Sequence, residues 1–407
     1  SARLKLKSTI EESRMNRLLG ISERGLLPVP LQYYGAHTCR PAATGKINMA
    51  NLTRPANPRH NDEGMLVKLP GDRFEHIVAI NNRTNGKPPT KFMVKGDSAF
   101  WSTKKHYLAG LRDCIVAPPG HVIGVSDLNA IEARGLAWLA QQLDLLEDFR
   151  SSDALPPDLP DSEVRDVYTR FGDVLYGRTI TKADKRERQM SKTAILGLGY
   201  LMGPTKFIRA AKIQGGIDID LDFAKTAVNV YRTKNDRIKA FWKDCKTALA
   251  SMVNGEEYSF GPNGLYTAVP ARGKGPATIV MPNGLNLIYT GLGTQLGKYG
   301  DDYFYYTPKG RNLVKTKIHP GQVAENLCQA LARIIINDQW LRIKTAAVRE
   351  KLVPRSPVVG HVYDEIICCV PTEHGQRIKE IMLHEMTIGP SWAKGLPLKT
   401  EADLAER

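Results

Sequence analysis

The chain is poor in the features that would place it outside the ordinary soluble enzymes. No apolar run approaches the roughly 20 residues that a membrane-spanning helix requires, and the first residues carry no signal-peptide pattern. Nothing in the sequence therefore points to secretion or membrane insertion. Only six of 407 residues are cysteine: Cys39, Cys114, Cys245, Cys328, Cys368 and Cys369. They are scattered, with no CxxC or His spacing suited to zinc, which argues against a disulfide scaffold and a zinc site. Cys368 and Cys369 lie inside an apolar run and read as small buried hydrophobes. The reducing cytoplasm is the expected compartment. There are no internal repeats and no low-complexity tract. At 42% hydrophobic and 24% charged, the composition is that of a folded globular protein.

What is present in excess is positive charge. Fifty-seven Lys and Arg stand against 42 Asp and Glu, a net charge of +15. Such a surface favours a polyanionic partner, because Lys and Arg that neutralise phosphates release counterions. Charge alone is a weak pointer, since many basic proteins bind no specific partner through it.

The length suits two or three subdomains. Residues 1–27 read as a basic helix with apolar Leu4, Ile10, Met15, Leu18 and Leu19. Residues 45–113 are rich in Asn, Pro, Gly and Lys and look like loops carrying short strands. The run HVIGVSD predicts a strand, followed by a helix over 130–149, and SSDALPPDLPDSE a linker over 151–163. Residues 164–253 are predicted mostly helical and residues 258–306 as hairpins. A long helix is predicted from about Gln322 to Leu352, then two apolar runs around one acidic dipeptide. A last helix from His374 and a short strand near Leu396 complete an α+β reading: an antiparallel sheet interrupted by a helical insertion.

Two acidic strand ends stand out. Asp127 terminates VIGVS where a helix is about to begin, and Asp364-Glu365 interrupts the apolar stretch from Val358 to Val370. Taken singly, each reads as a turn residue or a helix cap. Together, two carboxylates far apart in sequence but at strand ends suit a two-metal phosphoryl-transfer site, where hard oxygen ligands select Mg²⁺ or Mn²⁺. The segment from Asp184 to Tyr200 reads as a helix on which Arg188, Lys192, Leu196 and Tyr200 recur every four residues. Arg and Lys one turn apart can clamp a triphosphate, and a tyrosine further along can stack under a base. From that segment alone, a solvated basic face on an ordinary helix is the favoured reading.

Taken in order, VIGVSDLNAIEARGLAWLA, RQMSKTAILGLGYLMG and VVGHVYDEIICCV resemble the first palm motif, the fingers helix and the second palm motif of family A DNA polymerases, the bacterial polymerase I type. The bacteriophage members are the most similar. YYGAHTCR, INMANLTRP, DVYTRFGDVLYGRTITKADKRERQ and GPSWAKGLPL support the resemblance, which covers the chain from about Leu26 to its end.

The resemblance implies a right-hand polymerase: residues 1–27 a residual thumb base, 28–150 the first part of the palm with an insertion near 55–110, 151–300 the fingers, and 301–407 the rest of the palm. It implies primer-extending DNA polymerase activity with two Mg²⁺ ions held by Asp127, Asp364 and the carbonyl of Leu128, and Glu365 beside them. Arg188 and Lys192 are implied to hold the triphosphate of a deoxynucleotide, Lys192 also serving as general acid, with Tyr168 near the phosphates. Tyr200 is implied at the templating end, Leu196 near the sugar, and Glu132 as the block to a ribose hydroxyl. Arg40, Asn51, Gln329 and Tyr363 are implied to face primer–template DNA. Tyr363 stands where the family has His, Leu196 where it has Phe or Tyr, and Cys39 and Leu201 where it has Gly. Thumb and proofreading exonuclease are expected from a separate polypeptide or a longer parent chain, with this chain alone distributive. Two other readings remain: a single-subunit RNA polymerase, against which Glu132 argues, and a non-catalytic DNA-binding module derived from a polymerase, which would not need the metal carboxylates.

Overall fold

The run His121–Leu128 alternates side chains across a strand, with Val122, Ser126 and Leu128 buried and Asp127 exposed. This is the first element of the continuous part of the structure. The computed structural model describes residues 17–18, 20–21, 31–32, 35–38, 40–43, short strands within 65–101, and 115–405 except 298–299 and 310–311. Ahead of residue 115, three two-stranded antiparallel ladders pair Leu31–Gln32 with Ala42–Ala43, Met65–Lys68 with Phe74–Ile77, and Lys91–Met93 with Ala99–Trp101. Residues 17–18 and 20–21 are helical; the rest of the predicted first helix lies outside the described residues.

From His121 onward the order is β1 (His121–Leu128), α1 (Ile131–Leu139), α2 (Leu143–Asp153), α3 (Val167–Tyr176), α4 (Lys185–Leu198), α5 (Pro204–Ala210), α6 (Leu221–Lys234) and α7 (Asp236–Asn254). Seven strands follow: β2 (Tyr258–Phe260), β3 (Tyr266–Val269), β4 (Ala277–Val280), β5 (Asn286–Tyr289), β6 (Gly293–Gly297), β7 (Gly300–Lys309) and β8 (Asn312–Ile318). The chain then forms α8 (Pro320–Arg349), β9 (Val358–Val362), β10 (Glu365–Pro371), α9 (Gly375–Glu385) and β11 (Thr400–Ala405).

The strands make three larger antiparallel sheets, ordered β9–β10–β1–β11, β5–β4–β3–β2 and β6–β7–β8. The first carries the acidic strand ends, and the helices α1 to α7 separate its strand β1 from β9 and β10 in sequence. Sheet plus helical insertion was the expectation, and it holds. Between residues 115 and 405 no helix is long and apolar enough to cross a membrane.

Three boundaries differ from the sequence reading. The helix over 130–149 is two helices, because Gln141 takes a left-handed φ of 53° and Gln142 turns inward. The Gln142 side chain accepts from the backbone N–H of Arg237 (3.0 Å) and Ile238 (3.4 Å), so it caps the start of α7. The supposed linker begins later, since α2 continues to Asp153. The last strand is not at Leu396, which is buried, but at Thr400–Ala405, hydrogen-bonded along β1.

Helix α8 is the axis of the core. Its 30 residues span about 45 Å, and Val323, Leu327, Leu331, Ile335 and Ile343 are buried on several sides. It packs on α1, α7 and α9. A reciprocal cap starts it: the Gln322 N–H donates to His319 Nδ1 (3.2 Å) and the His319 N–H to Gln322 Oε1 (3.1 Å). Burial, aided by Lys206, lowers the His319 pKa and keeps the ring neutral, as an accepting Nδ1 requires.

The next residue but one, Gly321, sits against the end of α4. A Cβ there would stand 2.3 Å from the Tyr200 carbonyl oxygen and 2.6 Å from Leu201 Cβ. Gly321→Ala is therefore expected to destabilise the fold by about 2–3 kcal/mol, because backbone rather than a flexible side chain must give way. A denaturant midpoint unchanged from the parent, with an unchanged slope, would show that the turn accommodates a methyl group without cost.

Candidate active site

The turn between β9 and β10 is Tyr363–Asp364, so Asp364 projects at the strand end next to Asp127. The pairing places Glu365 opposite Asp127, and the Leu128 N–H donates to the Asp364 carbonyl (3.2 Å). On the other side of β1, Thr400 Oγ1 donates to the Asp127 carbonyl (2.8 Å) and meets Ser126 Oγ at 2.7 Å. The strand end is thus pinned from both neighbours. Burial, reinforced by the charge of Asp127 and more weakly of Glu132, pushes the Asp364 carboxyl up to about 7. Asp127, Asp364 and Leu128 come together as the sequence implied, with Glu365 alongside.

This donor set fits a divalent cation. Two carboxylates whose charges oppose each other gain most from a hard cation between them, and they supply the oxygen ligands that Mg²⁺ prefers. Among the described residues no group of three or more His, Cys, Asp or Glu side chains forms a complete metal cage. A site of two carboxylates leaves the remaining positions to water and phosphate oxygens, which is the usual situation for Mg²⁺.

A second group adjoins the first. Arg40 pairs with the Glu132 carboxylate, and its guanidinium lies 5.1 Å from the centroid of the Tyr363 ring. The Tyr200 hydroxyl is 3.5 Å from the Glu132 carbonyl oxygen. Burial first, then the neighbouring Cys328 and Glu132, pushes the Tyr200 pKa well up, so the phenol stays neutral. On α8 the Gln329 amide donates to Glu325 Oε1 (3.2 Å). Burial and the charge of Glu132 raise the Glu325 pKa, with Arg40 opposing. Glu325 went unnoticed in the sequence, although a carboxylate one turn before Gln329 in an apolar helix was a usable signal. Asn51 lies outside the described residues.

Backbone strain concentrates here. Ala130 (φ 53°), Leu201 (φ 61°) and Tyr363 (φ 56°) are left-handed non-glycine residues, each within two positions of Leu128, Tyr200 or Asp364. Each left-handed residue costs about 1 kcal/mol, and such residues persist where surrounding structure over-determines them, typically at functional sites. Leu201 takes a backbone conformation that only glycine adopts without strain.

The third group is basic. The Tyr168 ring carries Arg188 at 5.3 Å and Lys192 at 5.6 Å from its centroid. Arg188 also donates from Nε (2.8 Å) and from an Nη to Asp166. Asp166 is the N-cap of α3, accepting from the N–H groups of Tyr168 and Thr169, both at 3.0 Å. One carboxylate therefore fixes the Tyr168 helix and the Arg188 guanidinium together. One expectation about α4 needs correction. The helix ends at Leu198, so Tyr200 lies just beyond it, in the turn that Gly321 abuts. Leu196, partly buried, packs against the core, so its place in the four-residue series is not a polar one. Arg188 and Lys192 thus sit two to three turns from Tyr200, about 12–18 Å of helical rise.

Residues 101–256 match the model of DNA polymerase family A. Over 98% of its length the chain is 27% identical to a DNA polymerase of Bacillus phage SP02, of which it covers 55%. Its fold resembles the POL domain of Pol1 from M. smegmatis, solved in complex with DNA primer-template and dNTP, with a TM-score of 0.56 at 13% identity. That likeness covers 99% of this chain and 51% of the other. The chain spans about half the length of the relatives it matches. The family segment contains Asp127, Glu132, Tyr168, Arg188, Lys192 and Tyr200, while Asp364 lies beyond it and joins Asp127 through the sheet.

Proposed function

We propose that the chain extends a DNA primer on a template, adding deoxynucleotides by two-metal phosphoryl transfer. The observation that carries this is the pair Asp127 and Asp364 on adjacent strand ends, with Asp364 pushed to about 7 by burial and by its neighbour's charge. Asp127, Asp364 and the Leu128 carbonyl would hold two Mg²⁺ ions, with Mn²⁺ able to replace them and Glu365 supporting the site. When bound, the ions neutralise phosphoryl oxygens and lower the pKa of the primer hydroxyl.

The chain's own residues do the positioning, which supplies most of the acceleration in phosphoryl transfer. Asp166 holds Arg188 oriented before a triphosphate arrives, and Arg188 and Lys192 take its phosphates. Lys192, an ammonium next to the Tyr168 face, donates the proton to the departing pyrophosphate. Tyr200 lies under the nascent pair, Leu196 walls the sugar, and the Glu132 side chain fills the space a ribose hydroxyl needs. Arg40 contacts the minor groove near the primer end, with Tyr363 at the primer terminus and Gln329 near the DNA. The deciding experiment is primer extension with and without Mg²⁺, supplying dATP or ATP: no extension with dATP and Mg²⁺ overturns the reading.

Asp166→Ala separates positioning from folding. It removes a helix cap, costing about 1 kcal/mol, and also frees Arg188. The expected outcome is a rise of about tenfold in KM for the nucleotide with kcat changed less, as for a lost ground-state contact. If KM stays at the parent value while only the melting temperature falls, Asp166 is a cap and nothing more.

A further inference from the structure

We propose that the outer face of the sheet β6–β7–β8 is a stacking platform for unpaired nucleic acid, taking the single-stranded template on its way to the active site. The proposal rests on the polymerase reading above for its biological occupant, and on the following geometry for the site itself.

Strand β7 alternates its aromatic residues between two faces. Tyr303 and Tyr305 point inward and are buried. Tyr305 and Tyr289 pack around His37, with ring centroids 5.2 and 5.1 Å away, and Asn326 of α8 lies 3.4 Å from the Tyr289 hydroxyl. The inner face therefore backs the loop that carries Arg40 and the helix that carries Gln329. Phe304 and Tyr306 point the other way. They form an edge-to-face pair with centroids 6.0 Å apart and planes at 88°.

The bed beneath these rings is built of glycine. Phe304 is paired with Gly293 on β6, where a Cβ would stand 3.0 Å from the ring, and a Cβ on Gly291 would stand 2.9 Å from Tyr306. On the other side, Phe304 is paired with Lys317 and Tyr306 with Lys315 of β8. Lys315 Nζ hovers 3.7 Å from the Phe304 centroid and donates to Gln295 Oε1 (2.6 Å), while Lys317 donates to Asp302 (2.6 Å). Strand β8 is an edge, with Leu313 61% exposed.

Lysines on an edge strand guard against pairing with other chains, and that alone would explain Lys315 and Lys317. It does not explain two aromatic rings laid over glycines beneath them. Aromatic faces beside ammonium groups are how single strands are held without sequence preference: bases stack on the rings and phosphates meet the cations. A duplex keeps its base faces stacked inside and could not use the rings. Lys315 and Lys317, cross-strand neighbours of Tyr306 and Phe304, are the cations that the phosphates of a stacked strand would meet.

The test uses the full chain and fluorescence anisotropy on three probes: an oligo-dT single strand, a primer–template with a long unpaired template, and one with a template overhang of a nucleotide or two. Lys315→Glu/Lys317→Glu is a surface double variant that should fold normally. It should weaken the single strand and the long overhang about tenfold, leave the minimal overhang within about twofold, and lower the salt slope on single strand by about 1.4, at 0.7 per phosphate contact. Phe304→Leu/Tyr306→Leu keeps an apolar cover on the glycines and should weaken the same two probes about tenfold through lost stacking, with the slope unchanged. Unchanged binding in both variants overturns the proposal, and so does equal weakening on long and minimal overhangs, which would mean a duplex contact. If the parent extends no primer yet the variants lose single-strand binding, the platform stands and the polymerase reading falls.

Discussion

Asp364→Asn is expected to abolish primer extension, by at least about 10³-fold, while making the metal-free protein more stable. The two effects have one cause. The Asp364 carboxyl is raised to about 7 in the folded chain by burial and by Asp127, against an ordinary value near 3.8. Between about pH 4 and pH 7 the folded state keeps a proton that the unfolded state has released, so stability falls as pH rises through that window. The contribution is intact below the unfolded value and fully lost above the folded one. Asparagine carries no charge, so the variant should escape the loss. Allowing for solvent screening at a partly exposed group, the gain at pH 8 is about 1–3 kcal/mol, and it should vanish near pH 4. Asp127→Asn should be equally inactive but less stabilised, since Asp364 remains buried. Both should still bind primer–template, because no phosphate contact is removed. Thermal melts in chelator across pH 4–8, beside an extension assay, measure all of this. Extension by either variant within tenfold of the parent shows that the carboxylates are not the metal ligands.

Local signals of burial and alternation made the strand-end carboxylates legible. A run such as VIGVSD can bury its apolar face only as a strand, and a carboxylate closing it draws notice. The sheet, the helical insertion and the hairpins after it could be read for the same reason. What could not be read depends on residues that meet only in three dimensions. Gln142 ends a helix early because its amide is wanted at the start of α7, ninety-odd residues on. Asp166 caps α3, and nothing local says that Arg188, 22 residues later, shares its carboxylate. Tyr200 was assigned to the helix by its four-residue spacing, but the close approach of Gly321 sets the turn in which it lies. Glu325 carried a local signal as a carboxylate in an apolar helix, but its partners Glu132 and Arg40 meet it only in the fold.

Glu132→Ala is expected to admit ribonucleotides, lowering the preference for dATP over ATP by about 10²-fold, the order of discrimination that a single steric or polar contact supplies. The carboxylate is not an isolated wall. Arg40 holds it, and the same guanidinium lies over Tyr363 beside Asp364. Removing the carboxylate therefore opens space for a hydroxyl and also leaves Arg40 without its partner, so some deoxynucleotide efficiency should be lost as well. Glu132→Gln separates the two effects. It keeps the size of the side chain and loses its charge, so a purely steric block survives it, with discrimination near the parent value. A block that depends on Arg40 fixing the side chain fails in Glu132→Gln almost as fully as in Glu132→Ala. Single-nucleotide incorporation, read as kcat/KM for dATP and for ATP on the same primer–template, distinguishes these cases. A parent that already incorporates ATP as readily as dATP gives no discrimination to lose; Glu132 is then not a sugar gate, and the enzyme is an RNA polymerase rather than a DNA polymerase.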